Sequence, residues 1–377
     1  MKIAIINMTN GGISGGYKKY LLNILPRLAS NDNIDSLLCI SPSSLQVDTW
    51  FSPMQNVEFV NCSPFGFFKF RFDKSLKQKL KKFSPDLIFV PVARHFEFSS
   101  VPVLNMVQNI LPFLRKEVDE LSFSEKLRLY IQHIESVKAL KLAKRTIVTS
   151  NFVKDFLIKK IGIPKEKISL VYFGRDSLAK GISKPPGIPN GLEKKFLFTA
   201  GSLEPYRGIE DIIEAARYLK KDFPDLRILI AGKARAVTLS YQKKLVALSK
   251  SYGLDKNIIW TGQLNQSELA WCYQNCAMFI ITSRMETFGM IALEAMANGC
   301  LCIAADNPPF PEILSDCAYY YSPKDSHSLV DAIKNVASWN DEKKLEITDK
   351  AKKRAESFSW DNTLEGLIRE FELTIKT

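Results

Sequence analysis

The sequence predicts an α/β protein built from two doubly wound, Rossmann-like domains that face a cleft. Three observations lead there. At 377 residues the chain exceeds what one ordinary hydrophobic core organises. Short, nearly continuous apolar runs alternate with helical spacers, the pattern of parallel strands covered on both faces. These runs fall into two series, separated by "AKGISKPPGIPNGLEKK" (179–195), where three prolines and three glycines with no hydrophobic period mark a linker. With 46% hydrophobic and 24% charged residues and no long biased tract, the composition is that of a folded globular protein.

The first series reads "KIAII" (2–6), "SLLCI" (36–40), "DLIFVP" (86–91), "VPVLNMV" (101–107), "TIVTS" (146–150) and "ISLVYF" (168–173). The second reads "FLFTAG" (196–201), "LRILIAG" (226–232), "NIIWTG" (257–262), "MFIITS" (278–283), "LCIAA" (301–305) and "AYYYSP" (318–323). The expected domains are 1–180 and 181–360, with a last helix, 361–377, completing the first. Three strands of the second series end in glycine, where the chain must turn sharply at the carboxyl edge, and open α/β sheets bind ligands along that edge.

Charge is unevenly placed. Residues 1–190 hold 28 Lys+Arg against 15 Asp+Glu, and the remainder 24 against 25. The densest part, "FGFFKFRFDKSLKQKLKKF" (65–83), sets aromatics beside a basic helix; that composition fits an anionic membrane surface, a nucleic acid, or a plain solvated helix. The apolar start "KIAII" is too short for a signal-peptide core, and no apolar run reaches the 18 residues of a bilayer span, so a cytoplasmic location is expected. Seven cysteines without a Cys-x2-Cys pair read as reduced, mostly buried thiols rather than a disulfide framework or zinc site. His95, His133 and His327 stand in no ligand spacing and read as surface or internally satisfied side chains.

Three stretches carry candidate chemistry. "MTNGGISGGYKKYLLNIL" follows the first strand, and Gly11, Gly12, Gly15 and Gly16 lead into a helix expected from Tyr17. Backbone amides of such a loop bind phosphate, although the same glycines also serve a tight turn, and neither the dinucleotide nor the P-loop spacing is met. "GSLEPYRGIEDIIEAARYL" (201–219) places Arg207 and Gly208 between a strand and a helix, where a guanidinium either forks onto a diphosphate or stays solvated. "TSRMETFGMIALEAMANGCLCIAAD" (282–306) holds Glu286 and Glu294. Eight positions along one continuous helix separate two carboxylates by about 12 Å along the axis and roughly 80° around it, too far to share a proton or a metal. The helix is expected to begin near Phe288 or Gly289, capped by Thr287 or Glu286, with Ile291, Ala292, Ala295 and Met296 as its buried stripe. The order is then carboxylate, anion-binding amides of Phe288, Gly289 and Met290, carboxylate, which suits a nucleotide sugar; a merely solvated pair is the alternative for the bare spacing.

"ETFGMIALEAMANGCLCIAA", "GSLEPYRGIEDIIEAA", "LRILIAGK", "IIWTGQL", "SFSWDNTLEGLIREF" and the glycine stretch before "YKKYLLNILPRLA" together resemble the family 4 retaining glycosyltransferases, whose fold is GT-B. The resemblance covers nearly the whole chain in the right order, its most specific part being the E-x7-E stretch. It implies that Glu286 binds hydroxyls of the donor sugar, that Thr287, Phe288, Gly289, Met290 and Ile291 supply the diphosphate site, and that Glu294 holds the ribose. Gly15 and Gly16 would approach the phosphates, and Arg207 would neutralise the leaving diphosphate, so that Arg207 and Glu286 form the catalytic pair.

The chain departs from the family's pattern at three places. Ser202 stands where a second basic residue is common, leaving Lys233 or Arg235 as substitutes. Gln108 and Asn109 occupy a site where many members carry histidine, so a sugar pocket there would hydrogen-bond without a base. "DNPPFPEILSD" replaces a glycine-rich loop, although Glu312 is matched. No Asp-x-Asp occurs, so a metal-independent enzyme without a resident cofactor is expected. The resulting expectation is transfer of a hexose-type unit from a UDP- or GDP-linked donor to a glycan or lipid-linked acceptor in bacterial surface polysaccharide synthesis. The basic first half would rest on the inner face of the plasma membrane, and no nucleic-acid partner is expected. An epimerase or phosphorylase on the same fold, or a non-catalytic partner subunit, are the rival readings.

Overall fold

In the computed structural model the described residues are 1–9, 14–64, 74–114, 123–179 and 181–376. The chain forms two compact units, with boundaries after Gly174 and after Phe358 rather than at 180 and 360. The shift has a visible cause. The Arg175 N–H donates to Phe358 O at 2.9 Å, Ser183 N–H to Ser267 O at 3.3 Å, and Lys194 N–H to Asn275 O at 2.7 Å, so the Pro/Gly-rich stretch is tied down along the second unit instead of bridging the two.

Among the described residues, the first unit holds β1 (Lys2–Ile6), α1 (Gly15–Ala29), β2 (Ser36–Pro42), β3 (Val57–Cys62), α2 (Lys74–Phe83), β4 (Leu87–Val90), β5 (Val103–Val107), α3 (Phe123–Leu142), β6 (Arg145–Val148), α4 (Asn151–Phe156) and β7 (Ile168–Leu170). The strands form one sheet in the order β3-β2-β1-β4-β5-β6-β7, every pairing parallel. β3 is absent from the predicted strands because it is an edge strand whose residues are all half-buried or exposed, so no continuous apolar run announces it. The final helix of the chain (Trp360–Lys376) belongs to this unit. Trp360 packs on Tyr20 and Phe173, Phe371 on Phe89, and the Glu370 carboxylate takes a 2.8 Å bond from Arg145 Nε at the start of β6.

The second unit continues with β8 (Phe196–Ala200), α5 (Ile209–Asp222), β9 (Arg227–Ala231), α6 (Leu239–Ser251), β10 (Ile258–Gly262), α7 (Gln266–Asn275), β11 (Met278–Ile281), α8 (Met290–Ala297), β12 (Cys302–Ala305), α9 (Phe310–Leu314), β13 (Ala318–Tyr321), α10 (Ser326–Ala337) and α11 (Asp341–Glu356), leaving α12 as the Trp360 helix. Its parallel sheet runs β10-β9-β8-β11-β12-β13. Ile212, Ile213, Ala216 and Leu219 of α5, at helical spacing, pack with Ile228, Ile230, Ile280, Ile303, Leu329 and Ile333 in one core. In both sheets the strand order reverses beside the first strand of the unit, between β1 and β4 and between β8 and β11. A crevice opens at such a reversal because the helices leaving the two neighbouring strands cover opposite faces.

Candidate functional site

Two loops meet at the reversal of the second sheet, one after β8 and one after β11. Thr282 Oγ1 donates to Arg207 O at 2.6 Å and the Arg284 N–H to Tyr206 O at 2.7 Å, so the loops are joined through backbone. Gly208, with φ +61, lets them close: a Cβ there would stand 2.6 Å from Thr282 O. Arg207 ends the 3-10 turn Pro205–Arg207, and its guanidinium reaches across to the second loop. Nη1 donates to Ser283 Oγ at 3.1 Å and to the Glu286 carboxylate. Both side chains are largely covered, 19% and 16% exposed. Burial pulls the Arg207 pKa down, but the charge of Glu286 and then of Tyr206 more than offsets it, leaving a fixed cation.

The helix starts one to two residues after the expected Phe288 or Gly289. α8 begins at Met290, with Gly289 as N-cap at φ +88 and no side-chain cap from Thr287 or Glu286. Glycine serves here because the chain must adopt a left-handed turn, and a Cβ would approach Phe310 to 2.9 Å. Glu286 therefore lies before α8 and Glu294 within it. Phe288 is a core residue whose ring meets Phe358 edge-on at 5.8 Å. Leu293 replaces Ile291 in the buried stripe, and Ile291 instead lines a small cavity with Thr199, Ala200, Arg207, Thr282 and Ser283. Glu294 Oε2 accepts a 3.2 Å bond from Tyr273 Oη on α7. Burial, with Glu294 second, holds the Tyr273 phenol well above its ordinary pKa, so it remains a donor.

Two ion pairs stand behind these loops. Asp211, on the first turn of α5, takes both Arg284 guanidinium nitrogens at 2.7 and 3.0 Å, the Tyr321 hydroxyl at 3.1 Å and the Lys324 N–H at 3.3 Å. Glu204, 4% exposed, takes a two-pronged bond from Arg235 at 2.6 and 2.9 Å. Arg235 is thus engaged structurally. Lys233 places its carbonyl on the Leu203 N–H at 3.3 Å while its side chain is exposed, and Ser202 is half-buried on the facing loop.

In the first unit, α1 begins at Gly15 rather than Tyr17. Ser14 is its N-cap, accepting from Tyr17 N at 3.2 Å, so Gly15 and Gly16 are the first two helical residues; nothing lies within 4 Å of a Cβ added at Gly15. Gly11 and Gly12 fall outside the described residues. Gln108 Nε2 donates to Pro91 O at 3.0 Å, which links the ends of β4 and β5, and Asn109 Oδ1 accepts from Leu111 N at 2.9 Å to form a turn. Their amides thus hold backbone in place. Glu312 lies on the first turn of α9, its carbonyl taken by Arg354 at 2.8 Å.

Ser283, Tyr273, Asp211, Arg284 and Glu204 belong to the site without having been expected from the sequence. Ser283 and Arg284 stood inside the quoted stretch but carried no motif. Nothing in "GIEDIIEAA" singles out Asp211, and nothing in "ELAWCYQNC" singles out Tyr273. Among the described residues no group of three or more His, Cys, Asp or Glu is arranged to hold a metal ion. All seven cysteines are free, and six of them are buried. Among the described residues no helix is long and apolar enough to cross a membrane.

The fold is GT-B, two parallel-sheet Rossmann-like units with the charged cluster at the reversal of the second. Solved structures share it over almost the entire chain: a glycosyltransferase from Rickettsia africae (TM-score 0.73, 16% identity, 100% of this chain and 98% of that one), and Anabaena HepE in complex with UDP-glucose (TM-score 0.73, 18% identity, 99% of each). Residues 186–354, within the second unit, match the family model of glycosyl transferases, group 1. The O-antigen chain mannosyltransferase RfbU of Salmonella typhimurium is 26% identical over 198 residues, 52% of each chain. The chain spans about half the length of the curated relatives it matches.

Proposed function

We propose that this protein is a retaining glycosyltransferase. It moves a hexose-type unit from a nucleotide diphosphate sugar to a glycan or lipid-linked acceptor of a bacterial surface polysaccharide. The observation that carries the reading is the convergence of Arg207, Ser283 and Glu286 at the reversal of the second sheet, eight residues ahead of Glu294. The group 1 match and the mannosyltransferase relative support the reaction class and the polysaccharide context. HepE, solved with UDP-glucose, supports the donor class.

In this reading Glu286 holds donor sugar hydroxyls, the amides opening α8 and the Arg207 cation meet the diphosphate, and Glu294 takes the ribose. When the bond from the anomeric carbon to the phosphate oxygen breaks, its electron pair leaves on the phosphate. The acceptor oxygen bonds to the same face, and its proton passes to the departing phosphate oxygen. Charge develops on the diphosphate in the transition state, where a fixed cation lowers the barrier. Gln108 and Asn109 belong to the proposed acceptor or sugar pocket, and Gly15, Gly16, Ser202 and Lys233 to the donor side. No resident metal is included, so turnover is expected to survive a chelator. The basic first half is proposed to meet an anionic membrane carrying the acceptor.

Thermal melting against UDP- and GDP-linked sugars, followed by donor hydrolysis without acceptor, tests the assignment, because a ligand of the folded state raises the melting temperature by mass action. Stabilisation by one nucleotide sugar together with slow hydrolysis supports it. No stabilisation and no hydrolysis with any nucleotide sugar sinks it, and conversion of the donor to an epimeric product reassigns the chemistry.

A further inference from the structure

Two basic helices of the first unit, α2 and α3, use their apolar faces differently. In α2 the apolar side, Leu76 and Leu80, is buried against Ile88 and Val90, so only its charged side faces out. The aromatic stretch 65–73 ahead of it lies outside the described residues. α3 has a second apolar face. Leu129, Ala139 and Leu140 anchor it to the core, while Phe123 (84% exposed), Leu127 (49%), Tyr130 (48%) and Ile134 (52%) remain at the surface. At 100° per residue those four side chains fall within about 60° of one another, on the side turned away from the core-facing residues. Lys126 follows on one flank, Lys138 on the other, and Lys141 continues the line toward the C-terminal end, all three exposed. Glu135, one of the two acids of α3, is buried and paired to Arg94 at 2.8 Å, which leaves Glu125 as the other.

We propose that the Phe123-Leu127-Tyr130-Ile134 face of α3 is the surface by which the protein docks on an anionic lipid bilayer. Large apolar side chains in a single stripe enter the boundary between headgroups and acyl chains, and lysines on both flanks reach the lipid phosphates along their aliphatic stems. Charge selects the occupant. A stripe rimmed by Lys126 and Lys138 opposes a second copy of itself, whereas anionic headgroups complement it. The inference rests on the membrane placement proposed above and assigns it to particular side chains.

Co-sedimentation with vesicles of phosphatidylcholine, with and without phosphatidylglycerol, tests it on the full chain, alongside Leu127→Glu/Ile134→Glu and Lys126→Glu/Lys138→Glu. All four positions are exposed, so the fold is expected to hold, as melting curves would verify. The wild type is expected to bind the anionic vesicles, less so at high salt, and the apolar double variant to bind roughly tenfold more weakly. The charge variant is expected to lose the preference for anionic lipid. Undiminished binding by the apolar variant overturns the assignment to α3, and absence of wild-type binding overturns the membrane placement as well. A wild-type dimer that L127E/I134E dissociates, without changed vesicle binding, also overturns it. Donor hydrolysis is measured separately, so failure of the transferase reading appears there and not in the vesicles.

Discussion

Arg207 donates through Nη1 to the Glu286 carboxylate and to Ser283 Oγ, while its Nε–H is buried with no acceptor among the described residues. A guanidinium offers five donors, so in the proposed function those not used by Ser283 and Glu286 are the ones that would meet the diphosphate. Gly201 lies beside it: a Cβ there would stand 3.6 Å from Nε.

Arg207→Ala is therefore expected to lower kcat by about 10²–10³, as removal of a preorganised donor to developing charge does elsewhere, and also to lower the melting temperature, because the covered Glu286 carboxylate loses its cation. Arg207→Lys keeps the charge, loses the fork and should fall between. Combined with Glu286→Ala in a double-mutant cycle, the pair should show a coupling of roughly 0.5–3 kcal/mol. Steady-state kinetics on the four proteins would measure this, and additive single effects would contradict a joint role.

Tyr273 reaches the same helix from beneath. Tyr273→Phe removes one hydrogen bond to Glu294 and little volume, so donor affinity should fall by about 1 kcal/mol, roughly fivefold in Kd. Calorimetric titration with the stabilising nucleotide sugar would read this. An unchanged Kd would mean that Tyr273 does not position Glu294 for the ligand.

Most of the fold was legible because buried parallel strands are written as continuous apolar runs: every strand of the second sheet falls on its predicted run. β3 was not, since a half-exposed edge strand has no such run. The region of the site was legible too, because glycines and charges gather where loops must turn at strand ends. Its pairings were not. The Arg207–Glu286 bond joins positions 79 residues apart and Arg284–Asp211 positions 73 apart; only the packing of β8 beside β11 brings them together. The start of α8 was misplaced because a left-handed Gly289 performs the capping that a polar side chain usually does.

Asp211 joins α5, β13 and the loop after β11 through four hydrogen bonds. Asp211→Ala leaves Arg284, whose side chain is 19% exposed, without its carboxylate. The expected loss is about 3–5 kcal/mol, the range for breaking a covered ion pair from one side. Asp211→Ala with Arg284→Met should recover part of it, because no unpaired charge remains. Chemical denaturation of the three proteins checks the ranking; equal stability of single and double variants would show that the charge pair is not the cause.

The glycines that end β8, β9 and β10 differ in what they tolerate. Gly232 has φ +144, and a Cβ there would fall 1.7 Å from Gly201 O, a backbone atom that no rotamer change can move aside. Gly262 has φ +70 with open space around it, so alanine there meets only backbone strain of about 1 kcal/mol. Gly232→Ala must displace the Gly201 carbonyl, and roughly 2–4 kcal/mol of stability should be lost through strain and overpacking together. Because Gly201 also borders Arg207, the same substitution should weaken stabilisation by the nucleotide sugar, whereas Gly262→Ala should leave it intact. Thermal melts of both variants with and without the sugar separate the two effects. Equal ligand-induced shifts in both would show that the end of β8 does not govern the Arg207 site.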